Sequence, residues 1–67
     1  MSDVARVTEI SARSTQGFEH AVTTGIERAN ATLRGVRSAW VKEQQVIVEG
    51  GSITEYQVNL LVTFVLE

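Results

Sequence analysis

The C-terminal segment is the feature that most limits how this chain can fold. Every second residue in it is apolar, in the series Tyr56, Val58, Leu60, Val62, Phe64 and Leu66. A period of two predicts a β-strand that lays one face on a core. The fourteen residues from 53 to 66 would span about 45 Å when extended. A compact chain of 67 residues is only about 28 Å across, so this strand is longer than a single compact subunit.

A second strand precedes it, and the two predict a long hairpin. Positions 39–49 and 53–67 read as strands, and Gly50-Gly51 between them supplies the positive φ angles of a tight turn. Simple alternation places four apolar side chains on the face away from the helix: Val46, Val48, Leu61 and Val65. One helix cannot cover both faces of a sheet, so these residues predict partner subunits.

The N-terminal half predicts a short strand and one amphipathic helix. Positions 4–11 are rich in β-branched residues, and Ser14 is a suitable N-cap for a helix over about 15–34, with Gly35 just past its end. Its apolar stripe comprises Phe18, Ala21, Val22, Gly25, Ile26, Ala29 and Leu33, with His20 on the opposite face. The order β-α-β-β predicts an α+β fold. A right-handed crossover makes the first two strands parallel, and the third lies between them, antiparallel to both.

Composition removes several classes of protein. The chain has no cysteine and one histidine, which excludes a disulfide scaffold and a zinc module. Its net charge is −2 and its basic residues are scattered, so we expect no nucleic-acid partner. It has neither an apolar run of about 20 residues nor a signal-peptide pattern, so we expect no membrane partner and a cytoplasmic location. Positions 1–67 predict a single domain that uses oligomerisation to complete a small core.

The side chains that carry chemistry do not form a catalytic constellation, and we expect no enzyme. Glu43, Glu49 and Glu55 lie along the hairpin, where a solvated face is the simpler interpretation than a cation site at a symmetry axis. The exception is Trp40, the only tryptophan, on a face that the helix does not cover. Beside amide side chains, an indole is a platform for a planar heteroaromatic ligand. The alternative is that Trp40 fills a contact between subunits.

Several features together resemble one family. The β-α-β-β order, the helix over 14–33, the series Tyr56-Gln57-Val58 and the ending from Val62 to Glu67 all look like dodecin. The resemblance covers nearly the whole chain. It implies a hollow homododecameric cage that binds riboflavin or FMN without turning it over, for storage or sequestration. The alternative is a flavin-free cage, or a structural assembly that binds a metal ion.

The resemblance also implies a ligand site. Dodecins stack a tryptophan of the second strand on the isoalloxazine and bond its polar edge with a glutamine, and the matching types here are Trp40 and Gln57. An ungapped alignment places Ser38 at the family's tryptophan, and Gln45 and Val65 at basic residues that meet a flavin phosphate. These comparisons make Trp40, Gln57, Ser38 and Gln45 the candidate flavin-binding residues, with no metal site. Pairing across Gly50-Gly51 predicts Trp40 opposite Leu61 and Gln57 opposite Gln44.

Overall fold

The computed structural model describes residues 4–66, which form three strands and one helix. The elements are β1 (Ala5–Ser14), α1 (Phe18–Thr32), β2 (Val36–Glu49) and β3 (Ser52–Val65). The predicted element order is therefore confirmed. Both β1 and β2 extend beyond the predicted 4–11 and 39–49, and α1 is shorter than 15–34. The last strand ends before the predicted position 67, and Glu67 lies outside the described residues.

The sheet has the predicted topology. Its strand order is β1-β3-β2, and β3 pairs antiparallel with both neighbours. β1 and β3 pair without interruption over ten residue pairs, from Ala5 opposite Val65 to Ser14 opposite Tyr56. Gly50 and Gly51 have φ angles of 56° and 81°, which confirms the turn that joins β2 to β3.

The helix packs on one face of this sheet. Ala21, Gly25 and Ala29 are its buried residues, and they lie against the apolar side chains of β3, where Val58, Leu60 and Val62 are fully buried. A Cβ built at Gly25 would come within 3.2 Å of both the Ala12 Cβ and the Leu60 Cδ1. The predicted stripe is thus the core-facing stripe. At Gly25 the helix lies so close to the sheet that a side chain there would crowd Ala12 and Leu60.

The predicted N-cap is wrong. β1 continues to Ser14, and the helix begins after Gly17, with no side chain capping it. The buried Ser14 hydroxyl instead accepts the Gln16 N–H at 2.9 Å, which closes a local turn between strand and helix. At the other end Leu33 is already extended, and Gly35 adopts a φ of 67° where the chain enters β2.

The molecule is elongated, as the length of β3 predicts. Its extents are 52 × 19 × 13 Å, and the β2–β3 hairpin accounts for the long dimension because α1 has only 15 residues. Apolar side chains on the hairpin stay largely exposed in one subunit, among them Val48 at 55% and Ile53 at 53%. As expected, a single subunit therefore leaves part of the apolar surface of the hairpin exposed to solvent.

Three register shifts interrupt the β2–β3 ladder. They fall between Val36 and Ser38, between Val41 and Glu43, and between Ile47 and Val48. The first two leave Arg37 and Lys42 as extra residues on β2, and the third leaves Thr54 as an extra residue on β3. Because directly paired residues share a face, each extra residue reverses which side chains point toward α1.

The bulge at Lys42 corrects part of the sequence interpretation. Gln44 pairs with the buried Val58, and Val46 pairs with Tyr56, so both lie on the helix side of the sheet. Val48, which follows by alternation, lies there as well. The prediction that Val46 and Val48 face away from the helix is wrong. Leu61 and Val65 do lie on the opposite face, which follows from the alternation of β3 around its buried residues.

Candidate functional site

The side of the sheet opposite α1, here called the open face, carries every candidate residue. Ser38 pairs with Thr63, Trp40 with Leu61, and Gln45 with Gln57. These β3 partners alternate with the buried Val58, Leu60 and Val62, so they and their partners on β2 point away from the helix. The pairing of Trp40 with Leu61 confirms the prediction. The predicted pairing of Gln57 with Gln44 is wrong, because the extra residue Thr54 on β3, between the turn and Gln57, shifts the register by one residue.

Trp40 is the most exposed large apolar side chain of the open face. It is 76% exposed, whereas its cross-strand partner Leu61 is half-buried. Ser38 lies one pleat away on the same strand, about 7 Å from Trp40 along the strand direction. An indole plane held on a rigid strand and left uncovered can stack on a planar ring.

A second group of side chains on the open face forms a hydrogen-bonded relay. The Nε of Arg13 donates to the Oε1 of Gln57 at 2.9 Å. The Nε2 of Gln57 donates to the Oδ1 of Asn59 at 3.2 Å, and the Nδ2 of Asn59 donates to the Oε1 of Glu43 at 3.0 Å. The relay therefore crosses all three strands, from β1 over β3 to β2. Beside it, Glu43, Gln44, Gln45, Gln57 and Asn59 line a shallow polar cavity of about 250 Å³.

Both cations near this relay are already paired with carboxylates. An Nη of Arg13 lies 3.5 Å from Glu55, and the Nζ of Lys42 lies 3.2 Å from Glu9 on the far edge of the sheet. With Glu43, these residues make three carboxylates to two cations. The surroundings of the relay are therefore slightly acidic and offer weak electrostatic attraction for a phosphate.

The sequence analysis did not predict two members of the site. These are Arg13 and Glu43, the two ends of the relay. Arg13 was missed because the predicted β1 ended at 11, whereas the strand continues and pairs Arg13 with Gln57. Glu43 was interpreted as part of a solvated face and not linked to the site, because alternation without the bulge at Lys42 places it on the face opposite Trp40. A signal for the bulge does exist: apolar residues occupy odd positions at Ala39 and Val41 but even positions at Val46 and Val48.

The remaining candidates do not add to this site. His20 is exposed, and its Nδ1 lies 2.7 Å from the Ser14 hydroxyl on the opposite side of the sheet from Trp40. Among residues 4–66, no three histidine or acidic side chains come together in a group able to hold a metal ion. The helical structure in the described part of the chain lacks the length and apolar character needed to cross a bilayer.

Comparison with known proteins gives a consistent result. The model of the Dodecin family matches residues 4–67. Dodecin from Streptomyces davaonensis has a TM-score of 0.93 at 33% sequence identity, with 100% of this chain and 98% of that chain covered. Dodecin from Streptomyces coelicolor has a TM-score of 0.92 at 34% identity, with 97% and 93% covered. The tt0972 protein from Thermus thermophilus has a TM-score of 0.91 at 35% identity, with 98% and 97% covered. No curated protein sequence matches the chain.

Proposed function

This chain belongs to the dodecin family, and we propose that it binds riboflavin or FMN without turning it over, within a hollow homododecamer. Dodecins are, as a family, small flavin-binding proteins that are not enzymes. The role we propose is storage or sequestration of the flavin in the cytoplasm. The alternative to be tested against it is a flavin-free cage in which Trp40 packs between subunits.

The uncovered indole of Trp40 is the observation that carries the proposal. At 76% exposure it contributes little to the fold of its own subunit, and it projects from the same face as the hydrogen-bonded Gln57. Stacking of an isoalloxazine on the indole buries a large apolar ring, and a carboxamide can bond the polar edge of that ring. Both chemical requirements of a flavin are therefore available on the open face.

The distance between these two residues supports a site shared by subunits. Trp40 pairs with Leu61, and Gln57 lies four residues away along β3, which is about 13 Å. That is too far for one indole to stack centrally on an isoalloxazine whose far edge bonds the same subunit's Gln57. A symmetry-related copy brings a second Trp40 or Gln57 into reach. Binding then requires the assembled particle.

The charges of the open face favour riboflavin over its phosphate. Arg13 and Lys42 are paired with Glu55 and Glu9, and Gln45 stands where a basic residue would meet the phosphate. We expect riboflavin to bind at least as tightly as FMN. Quenching of flavin fluorescence during titration with the assembled protein measures both affinities.

Two outcomes of this titration would contradict the proposal. Absence of quenching by either flavin at micromolar protein supports the flavin-free cage. Clearly tighter binding of FMN, strongest at low salt, would mean that a basic residue meets the phosphate after all.

A further inference from the structure

The relay on the open face has only one possible polarity. An arginine side chain donates hydrogen bonds and cannot accept them, whereas a carboxylate only accepts. The Gln57 atom that contacts the Nε of Arg13 must therefore be the carbonyl oxygen, and the Asn59 atom that contacts Glu43 must be the amide nitrogen. The bond between Gln57 and Asn59 then runs from nitrogen to oxygen. The two ends of the relay thus determine the orientation of both amides between them.

We propose that Arg13 is a positioning residue for the ligand, because it determines which way the Gln57 carboxamide presents its donor and its acceptor. The inference rests on the proposed function and deepens it. With Arg13 and Asn59 engaged, Gln57 retains one lone pair on Oε1 and one hydrogen on Nε2. That adjacent acceptor and donor match the N–H and a flanking carbonyl of an imide. The ligand class is therefore a planar heteroaromatic ring with an imide edge.

The hydrogen bond, rather than the charge of Arg13, is what orients the amide. The ion pair with Glu55 is long at 3.5 Å, and its side chains are 58% and 36% exposed, so solvent screens it strongly. The bond to Gln57 is short at 2.9 Å, and Gln57 is half-buried. Opposite Gln57 stands Gln45, whose amide can donate or accept and therefore imposes no orientation. Without Arg13, only the longer bond to Asn59, at 3.2 Å, still opposes a turn of the Gln57 carboxamide, so its orientation is held less firmly.

A pair of flavin analogues tests this role directly. Lumiflavin carries the imide N–H, and 3-methyllumiflavin carries a methyl group in its place. We expect the assembled protein to prefer lumiflavin. We expect Arg13→Ala to bind lumiflavin about tenfold more weakly, the cost of one hydrogen bond between Gln57 and the ring. Its preference over the methylated ring should shrink to within about twofold, because a loosely held amide loses its fixed hydrogen bond with the imide N–H. Arg13→Lys retains an obligate donor and should restore much of the preference.

Two matched variants separate positioning from charge. Glu55→Gln removes the ion pair and leaves the bond to Gln57, so the preference should persist. Arg6→Ala removes a positive charge from the same strand, but Arg6 pairs with Phe64 and so lies on the helix side. The preference for the imide N–H should therefore persist in this variant. At the other end of the relay, Glu43→Gln replaces the obligate acceptor by an ambivalent amide and should reduce the preference less than Arg13→Ala does, because Arg13 still bonds Gln57 directly. Native mass and circular dichroism establish that each variant is assembled and folded.

The outcomes distinguish the two proposals. If the unmodified protein binds neither analogue, the proposed function is wrong, and the inference with it. If it binds lumiflavin and Arg13→Ala keeps the full preference for the imide N–H, Arg13 is not a positioning residue although flavin binding stands. An equal loss in Arg6→Ala would assign the effect to net charge and would also overturn the inference. Should Arg13→Ala fail to assemble, Arg13→Gln, whose amide can accept as well as donate, replaces it, and an undiminished preference in that variant overturns the inference.

Discussion

At the scale of single residues, exposure separates the side chains that hold the fold from those available to a ligand. Leu60 is fully buried on the helix side of β3, whereas Trp40, opposite the neighbouring Leu61, is 76% exposed. Removal of a buried leucine leaves a cavity, whereas removal of an exposed indole removes little contact within the subunit. Substitution of Leu60 should therefore affect stability, whereas substitution of Trp40 should affect ligand binding.

We expect Trp40→Ala to change the free energy of unfolding by less than about 0.5 kcal/mol and to leave the particle mass unchanged. It should abolish riboflavin quenching, and Trp40→Phe should keep part of it through the smaller ring. Leu60→Ala, as the contrasting variant, should cost about 2–5 kcal/mol. Urea unfolding at fixed protein concentration and native mass spectrometry provide the measurements. Dissociation of the Trp40→Ala particle would show that the indole fills a subunit contact instead.

At the scale of elements, the bulge at Lys42 brings Trp40 and the β2 residues beside the relay onto one face of the sheet. On the N-terminal side of it Trp40 points away from the helix, and on the C-terminal side Glu43 and Gln45 do so. An uninterrupted strand would place Trp40 and Glu43 on opposite faces, because their numbers differ by an odd interval. The backbone of the extra residue, rather than its side chain, provides this arrangement.

Deletion of Lys42 is therefore expected to be much more damaging than its truncation. Lys42→Ala removes only a half-exposed ion pair with Glu9, which is worth less than about 1 kcal/mol, and should leave riboflavin binding within a factor of about two. Deletion restores strict alternation, so one half of β2 reverses its faces and either Trp40 or Glu43 leaves the open face. We expect loss of riboflavin binding and about 1–3 kcal/mol of destabilisation. Equal behaviour of the two variants in titration and urea unfolding would refute this role of the bulge.

At the scale of the whole molecule, one subunit has too little core for its length. The fully buried large side chains are Leu60, Val58 and Val62, in a body 52 Å long and 13 Å thick. Val48 and Ile53 pair near the hairpin turn on the helix side, yet α1 does not reach them. This apolar surface continues the face that α1 covers farther along the sheet. Cover from other subunits is the physical expectation for such a surface.

We predict a homododecamer of about 89 kDa, twelve chains of 7.4 kDa each, by native mass spectrometry at micromolar concentration. Val48→Glu should dissociate it and abolish riboflavin binding, because a charge buried between subunits is costly. Introduction of a glutamate at Leu61 or at Val65 on the open face should have the same effect. Thr54→Glu, which places the same charge at an exposed position of the hairpin, is the control and should remain assembled. A monomeric or dimeric unmodified protein, or riboflavin binding by dissociated subunits, would contradict the assembly and the shared site respectively.

The strongly periodic parts of the chain were predictable from local patterns. The stripe of α1 and the even-numbered apolar series of β3 each identify an element and the face that it buries, because burial selects apolar residues at the period of the backbone. The glycine pair 50-51 locates the turn, because the turn requires positive φ angles, which glycine adopts readily. The position of Trp40 opposite Leu61 then follows from counting, since the chain between them contains two compensating bulges.

The sequence by itself determined the element order, the buried face of the helix and of the last strand, and the uncovered tryptophan. The tertiary structure alone decided where β1 ends, which side chains share the open face beyond Lys42, and the polarity of the relay that ends at Arg13. The physical reason is that these features depend on pairing between strands distant in sequence. A single extra residue reverses every later side chain, and its only local trace is the change from odd to even apolar positions between Val41 and Val46.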